Sequence, residues 1–269
     1  MIIIEPEKLL FNVKAFFWYL RRPRLYRELL RKLFSRLSHR QFGAATKQQA
    51  DDWAEKYAIN TTEAIRLIRG APMPESVKDK YKGVFTHAEA VVRKCPVEMG
   101  GPGDLDLLYW VAEHLKARRV VETGVAYGWS SLVLLLSLSR RRDGYLISTD
   151  KPYVNRNNDR YVGCVVPESL KTFWEIVKGA DRDVLSKALN KSGPIDMCHY
   201  DSDKSYEGRM WAYRRLWKSL RQGGYFISDD IGDNIAFRDF CRQVSTSPII
   251  VKAISGTRAK YAGILIKNC

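Results

Sequence analysis

Histidine and cysteine are scarce in this chain of 269 residues, at four and five. The cysteines, Cys95, Cys164, Cys198, Cys241 and Cys269, form no C-x-x-C pair and are odd in number. That pattern argues against a structural zinc site and a disulfide framework, and a reducing, cytoplasmic setting is the expectation. No apolar run reaches the roughly 18 residues of a membrane-spanning helix. Ile2 to Ile4 is a short apolar run that meets Glu5-Pro6-Glu7 at once, so no secretory signal is expected. Acidic residues are also in deficit, at 30 against 45 basic ones, a formal charge of +15. Residues 1–50 carry about +8 of it, which makes the basic excess a property of the N-terminal segment more than of the remainder.

What is present is organised around Arg119-Val120-Val121-Glu122-Thr123-Gly124-Val125-Ala126-Tyr127-Gly128-Trp129-Ser130-Ser131. A β-branched run turns through a glycine-containing loop into an apolar helix pattern, the opening of a nucleotide-binding α/β unit. Two common nucleotide patterns are missing. The third glycine of G-x-G-x-x-G is absent at that spacing, and no lysine follows as in a phosphate loop. The spacing Glu122-x-Gly124-x-Ala126-x-Gly128 resembles motif I of the class I S-adenosylmethionine-dependent methyltransferases, with Ala126 at the middle glycine. Small residues there let the backbone approach a ligand closely.

Residues 7–20 read as an amphipathic helix with Leu10, Val13, Phe17 and Leu20 on one stripe, broken at Pro23. A second helix, to about Leu37, carries Leu29, Leu30, Leu33, Phe34 and Leu37 on one side and arginines on the other. This basic pair can lie on an anionic membrane surface or pack against its own domain or a second subunit, and the packed, homo-oligomer or lid, reading ranks first. A nucleic-acid arm ranks last, because the aromatics fall at core-like helical spacing. Further helices are expected over 46–69, with Asn60 as a cap, Glu63 at the capping-box position and Gly70 as the stop. Ala71-Pro72-Met73-Pro74 is read as a linker, giving a basic helical extension over 1–75 and an α/β domain over 76–269. Residues 76–94 read as helical, and Asp104 caps a helix to Leu115.

From Val120 onward strands and helices alternate, which implies a Rossmann-like, doubly wound, mostly parallel sheet. Seven strands are expected, near 119–122, 145–149, 174–178, 195–200, 224–228, 248–254 and 261–267. The short Ser255-Gly256-Thr257 turn makes one of the last two antiparallel. In such a sheet ligands sit beyond the carboxyl ends of the strands. The second strand there ends in Asp150, whose carboxylate can accept both hydroxyls of a ribose. The third is followed by Ala180 and Asp181, the fourth by Asp201-Ser202-Asp203-Lys204-Ser205-Tyr206-Glu207-Gly208, and the fifth by Asp229-Asp230. Carboxylates converging from neighbouring strand ends repel unless a cation neutralises them. Oxygen-only donors favour a hard ion such as Mg²⁺ over zinc, or else these acids cap their own helices separately.

Residues from about 95 to 267 resemble the small-molecule O-methyltransferases that include macrocin O-methyltransferase and the cephalosporin hydroxylase-like enzymes, and more distantly catechol O-methyltransferase. The family runs Asp-Gly-Asp-His-Ser-Tyr-Glu-Gly after the fourth strand and Asp-Asp or Asp-Asn after the fifth. The resemblance implies metal ligation by Asp201, Asp229 and Asp230. It implies S-adenosylmethionine contacts from Glu122, Gly124, Ala126, Gly128 and Ser130 in the first loop. Met99, Asp150, Ala180, Asp181 and Asp201 complete that set. Lys204 stands where most macrocin-like members have a histidine base, whereas catechol-type enzymes have lysine, so Lys204 is the candidate catalytic residue. The function implied is O-methylation of a small hydroxylated acceptor such as a sugar or polyketide. An RNA or lipid-linked substrate, or a non-catalytic binding protein of the same fold, are the alternatives. Tyr153, Asn155, Arg156, Asn157, Asn158 and Arg160 form a polar loop that either meets the acceptor or is solvated.

Overall fold

Strands β1 (Ala58–Asn60), β2 (Arg119–Thr123), β3 (Tyr145–Asp150), β4 (Trp174–Lys178), β5 (Ile195–Tyr200), β6 (Leu220–Ser228), β7 (Ile249–Ser255) and β8 (Arg258–Ile266) form one sheet in the computed structural model, which describes residues 6–38, 44–255 and 258–268. Their order across it is β1-β7-β8-β6-β5-β2-β3-β4. All pairs are parallel except those of β8, which runs antiparallel to both β6 and β7. The seven expected strands are present and the reversed one is the last. The hairpin turn at Gly256-Thr257 lies outside the described residues. The eighth strand, β1, is an addition. Its three residues are too few to show any alternation, yet Ala58 to Asn60 pair in register with Ile250 to Lys252.

The sheet is covered on both faces, which explains why its strands read as continuous apolar runs. Val120, Leu146 and Met197 point into one core, with α4 (Thr61–Arg69), α6 (Lys82–Lys94), α7 (Leu105–Leu115) and α8 (Trp129–Leu138). Their neighbours Val121, Ile147 and Cys198 point into the other, with α3 (Ala44–Tyr57), α10 (Asp181–Ser192), α11 (Tyr206–Ser219) and α12 (Ala236–Gln243). The short α5 (Val77–Lys80) and α9 (Glu168–Lys171) complete the domain. Asn60 accepts the amide of Glu63 at 2.9 Å, and Gly70 closes α4 in the left-handed conformation, as the capping pattern predicts. Asp104 likewise caps α7 through the amide of Leu107.

Two further helices, α1 (Pro6–Leu20) and α2 (Tyr26–Ser38), form a hairpin about Pro23. Apart from Leu29, the stripe expected to pack is left uncovered by this chain's own domain. Val13, Phe17, Leu20, Leu30 and Leu33 face solvent, while Trp18, Tyr19 and Leu25 form a small buried cluster with Leu29 and Val154. Leu10, Phe34 and Leu37 lie outside the described side chains. The domain surface that the hairpin meets is charged. Arg31 makes a two-pronged pair with Asp183 at 3.0 and 2.7 Å, and Glu28 pairs with Lys151 at 3.1 Å.

Candidate active site

The strand registers place one row of residues at a common edge. Thr123 pairs with Thr149 and with Tyr200, and Tyr200 pairs with Ser228. The residues that follow, Gly124, Asp150, Asp201 and Asp229, therefore emerge side by side where the order reverses between β2 and β5. A cavity of about 500 Å³ opens there, within the range of roughly 300–1,000 Å³ typical of small-molecule sites.

Its floor is the β2–α8 loop. Gly124 has φ +83°, and a Cβ there would overlap the carbonyl oxygen of Asp201, so only glycine lets β2 and β5 close up. Gly128 has φ +94° and lies against the backbone of Gly163. Ala126 takes a left-handed conformation, φ 51°, which the amides it supports explain. Asp150 accepts the Val125 amide at 2.9 Å and the Ala126 amide at 3.4 Å, both on Oδ1. Burial raises its pKa to about 6. Asp181 is raised to about 6 for the same reason, although Ser202 and Thr149 donate hydroxyls to its two oxygens.

Of the residues singled out in the sequence, Gly124, Ala126, Ser130, Asp150, Ala180, Asp181, Asp201, Lys204, Asp229 and Asp230 line this cavity. Three do not. Gly128 shapes the loop from behind. Met99 is buried behind the wall, where Asn158 donates to its sulfur at 3.4 Å. Glu122 is fully buried beneath the loop and accepts hydroxyls from Ser130, Ser131 and Ser148 at 2.6, 2.5 and 2.7 Å. It holds the start of α8 to the sheet instead of facing a ligand.

The acidic end centres on Lys204. Its ammonium pairs with Asp201 Oδ1 and, at 2.9 Å, with Asp230 Oδ2. Burial works against the charge, but the two carboxylates outweigh it and raise the lysine pKa. Asp229 turns toward His199, with Oδ2 3.4 Å from Nε2, while Glu122 stands 3.6 Å from Nδ1. Burial opposes the imidazolium, yet the flanking Asp229 and Glu122 push the His199 pKa up to about 10. Three carboxylates on one wall are the right chemistry for a hard divalent ion. Their arrangement is not. Lys204 occupies the space between two of them, the third faces a histidine, and among the described residues no three His, Cys, Asp or Glu are grouped to hold a metal.

Arg209 gave no signal in the sequence, whereas the polar loop from Tyr153 to Arg160 was singled out there as one that either meets the acceptor or is solvated. Arg209, on the buried face of α11, donates to the carbonyls of Asp229 and Asp230 at 3.0 and 2.9 Å and so fixes the turn that carries both acids. The loop after β3 is stitched across the cavity: Tyr153 accepts the Gly100 amide at 3.3 Å and Arg156 donates to the Glu98 carbonyl at 2.7 Å. Tyr153 lines the cavity, and Asn158 is wholly buried, holding the Tyr153 amide at 2.9 Å. Glu28 and Lys32 of α2 also reach the cavity, so the N-terminal hairpin forms part of its roof. Their only trace in the sequence was a polar face on an amphipathic helix.

Residues 121–231 match the methyltransferase domain family. The chain also superposes on an O-methyltransferase from Bacillus cereus crystallised with S-adenosylhomocysteine, at 16% identity and a TM-score of 0.52, covering 80% of this chain and 100% of that one. It is similar to the O-methyltransferase TomG from Streptomyces achromogenes, crystallised with S-adenosylmethionine, at 17% identity and a TM-score of 0.56, covering 80% and 99%. No curated protein sequence matches. About a fifth of this chain thus has no counterpart in either structure.

Proposed function

We propose that this chain, which carries a methyltransferase domain in the class I S-adenosylmethionine-dependent fold, is an O-methyltransferase acting on a hydroxyl of a small molecule. The observation that supports this most is the cavity itself: a glycine-bearing loop, the carboxylates of Asp150 and Asp181 with raised pKa, and a lysine–carboxylate cluster share one pocket at the switch point of the sheet. The residues fit the cofactor. Gly124 to Ala126 line the cavity where the cofactor would lie, and Asp150 beside them would accept the ribose hydroxyls. Bound there, S-adenosylmethionine supplies an electrophilic methyl group on a sulfonium.

This chain's own part is to position the acceptor and to manage its proton. Lys204 is the residue we assign to the acceptor oxygen. A neutral lysine base needs a lowered pKa, whereas Asp201 and Asp230 raise it. The geometry therefore favours a charged Lys204 that stabilises the acceptor oxygen as its proton passes to Asp201, the neighbouring carboxylate whose pKa burial raises. Arg209 holds the Asp229–Asp230 turn, and Tyr153 with Gly100 closes the opposite wall. A pocket of about 500 Å³, roofed in part by α2, suits a small acceptor better than a folded RNA.

The test is release of S-adenosylhomocysteine from S-adenosylmethionine with a panel of catechols, sugars and polyketides, each with and without a chelator. Turnover that survives chelation agrees with Lys204 as the neutralising cation. Turnover that requires Mg²⁺ would assign Asp201, Asp229 and Asp230 to the ion and defeat Lys204 as the neutralising cation. No turnover and no cofactor binding would defeat the enzyme reading.

A further inference from the structure

The α1–α2 hairpin has a second face that the cavity does not use. On α1, Val13, Phe16, Phe17 and Leu20 fall at i, i+3, i+4 and i+7, one helical stripe, and all four are exposed. On α2, Tyr26, Leu30 and Leu33 repeat the spacing and are exposed as well, with Phe17 and Leu30 each more than half accessible. Scattered apolar residues on a surface need no explanation, but two aligned stripes on adjacent helices do. Lys14, Arg21, Arg24 and Arg27 are exposed on the same hairpin. The inner side is meanwhile committed to the domain through Arg31–Asp183 and Glu28–Lys151.

We infer that this outer face docks on an anionic lipid bilayer. Phenylalanine and leucine at the level of the acyl boundary with arginines among the headgroups is the arrangement of an interfacial helix. Charge decides between the occupants. A second copy would meet the face through a symmetric contact, setting one basic hairpin against another, each within a segment of about +8. An anionic surface neutralises that charge instead. Nucleic acid would do so too, but it offers no apolar phase for Phe16, Phe17, Leu30 and Leu33. No helix among the described residues is long and apolar enough to cross a membrane, so the contact lies in the plane of the surface. Because α2 also roofs the cavity, docking would set the methyl-transfer site beside the headgroups.

The full chain is mixed with vesicles of roughly one part phosphatidylglycerol to three parts phosphatidylcholine and with vesicles of phosphatidylcholine alone, and binding is read by co-sedimentation. The inference expects binding to the anionic vesicles that falls with salt, and little to the neutral ones. The combined variant Phe16→Ser, Phe17→Ser, Leu30→Ser should weaken it at least about tenfold. Replacing Arg21, Arg24 and Arg27 by glutamine should cost about fivefold for each arginine. These side chains are exposed, so an unchanged melting curve confirms that the variants fold. Absence of binding to anionic vesicles at low salt overturns the inference. So does an apolar-face variant that binds as well as the parent, which would mean simple charge adsorption. A variant that dissociates a dimer while vesicle binding is unchanged assigns the face to a second copy.

Discussion

Replacing Asp150 by asparagine separates what this carboxylate does for the loop from what it does for a ligand. Asparagine keeps an oxygen for the amides of Val125 and Ala126, which both bond to Oδ1 at 2.9 and 3.4 Å. It loses the charge that would receive two ribose hydroxyls. A hydrogen bond to a charged group contributes about 1.5–3 kcal/mol, so S-adenosylmethionine should bind about 10- to 150-fold more weakly above pH 7. The acid dependence follows from burial. With the Asp150 pKa raised to about 6, the free protein protonates this group below pH 6, and a ligand that needs the carboxylate must first expel the proton. Affinity in the parent should therefore climb with pH through 6 and level off above it. Asp181, also at about 6, contributes a second step. The Asp150→Asn variant should keep only that second, shallower dependence. Calorimetric titrations between about pH 5 and 8, bracketing both values, read both quantities. Wild-type affinity in a folded variant, or an unaltered pH profile, would remove Asp150 from the site.

Lys204→Met should lower kcat by about 10²–10⁴-fold and leave cofactor affinity nearly unchanged, because among the described residues Nζ pairs with Asp201 and Asp230; equal losses in both would point to a structural role. Arg31→Met removes the two bonds to Asp183 from a partly exposed pair, a loss of about 0.5–1 kcal/mol. Hydrogen exchange should then quicken in α2 while the sheet keeps its protection, and cofactor should dissociate faster; unchanged exchange would mean that Arg31 is no latch. Asp104, half-buried and with its pKa raised to about 6 by desolvation, favours the folded state when protonated. Its contribution is complete below about pH 4, the unfolded value, and is lost as pH rises through 6. Asp104→Asn should accordingly raise the melting temperature at pH 8 relative to the parent but not at pH 4.

The sheet was legible because both of its faces are buried. Runs such as Tyr145 to Thr149 and Ile195 to Tyr200 have the length and β-branched or aromatic character of buried strands, and acids mark their ends. β1 was not legible, since three residues carry no period and Asn60 was already accounted for as a cap. The loop from Gly124 emerges at the cavity, as its spacing suggested, whereas Glu122 lies buried beneath it. Sequence spacing shows that a strand ends in an acid and not which face that acid takes, and here Ser130, Ser131 and Ser148 draw it inward. Spacing also brought Asp201, Asp229 and Asp230 together while giving no hint that Lys204 would enter between them. The side of the N-terminal hairpin that meets the domain was hidden for a related reason. Apolar periodicity identifies an amphipathic helix, whereas the side that docks is chosen by its partner surface, and here that surface offered Lys151 and Asp183.

The central claim is that this pocket moves a methyl group from S-adenosylmethionine to a hydroxyl oxygen. Methyl-labelled S-adenosylmethionine incubated with the full chain and the hydroxylated panel, followed by mass spectrometry of the products, tests it most directly. The account predicts a product carrying the label as a methyl ether, formed in step with S-adenosylhomocysteine and lost in Lys204→Met. Label found on nitrogen or carbon, or S-adenosylmethionine left intact in the presence of every acceptor while the protein binds it, would contradict the account.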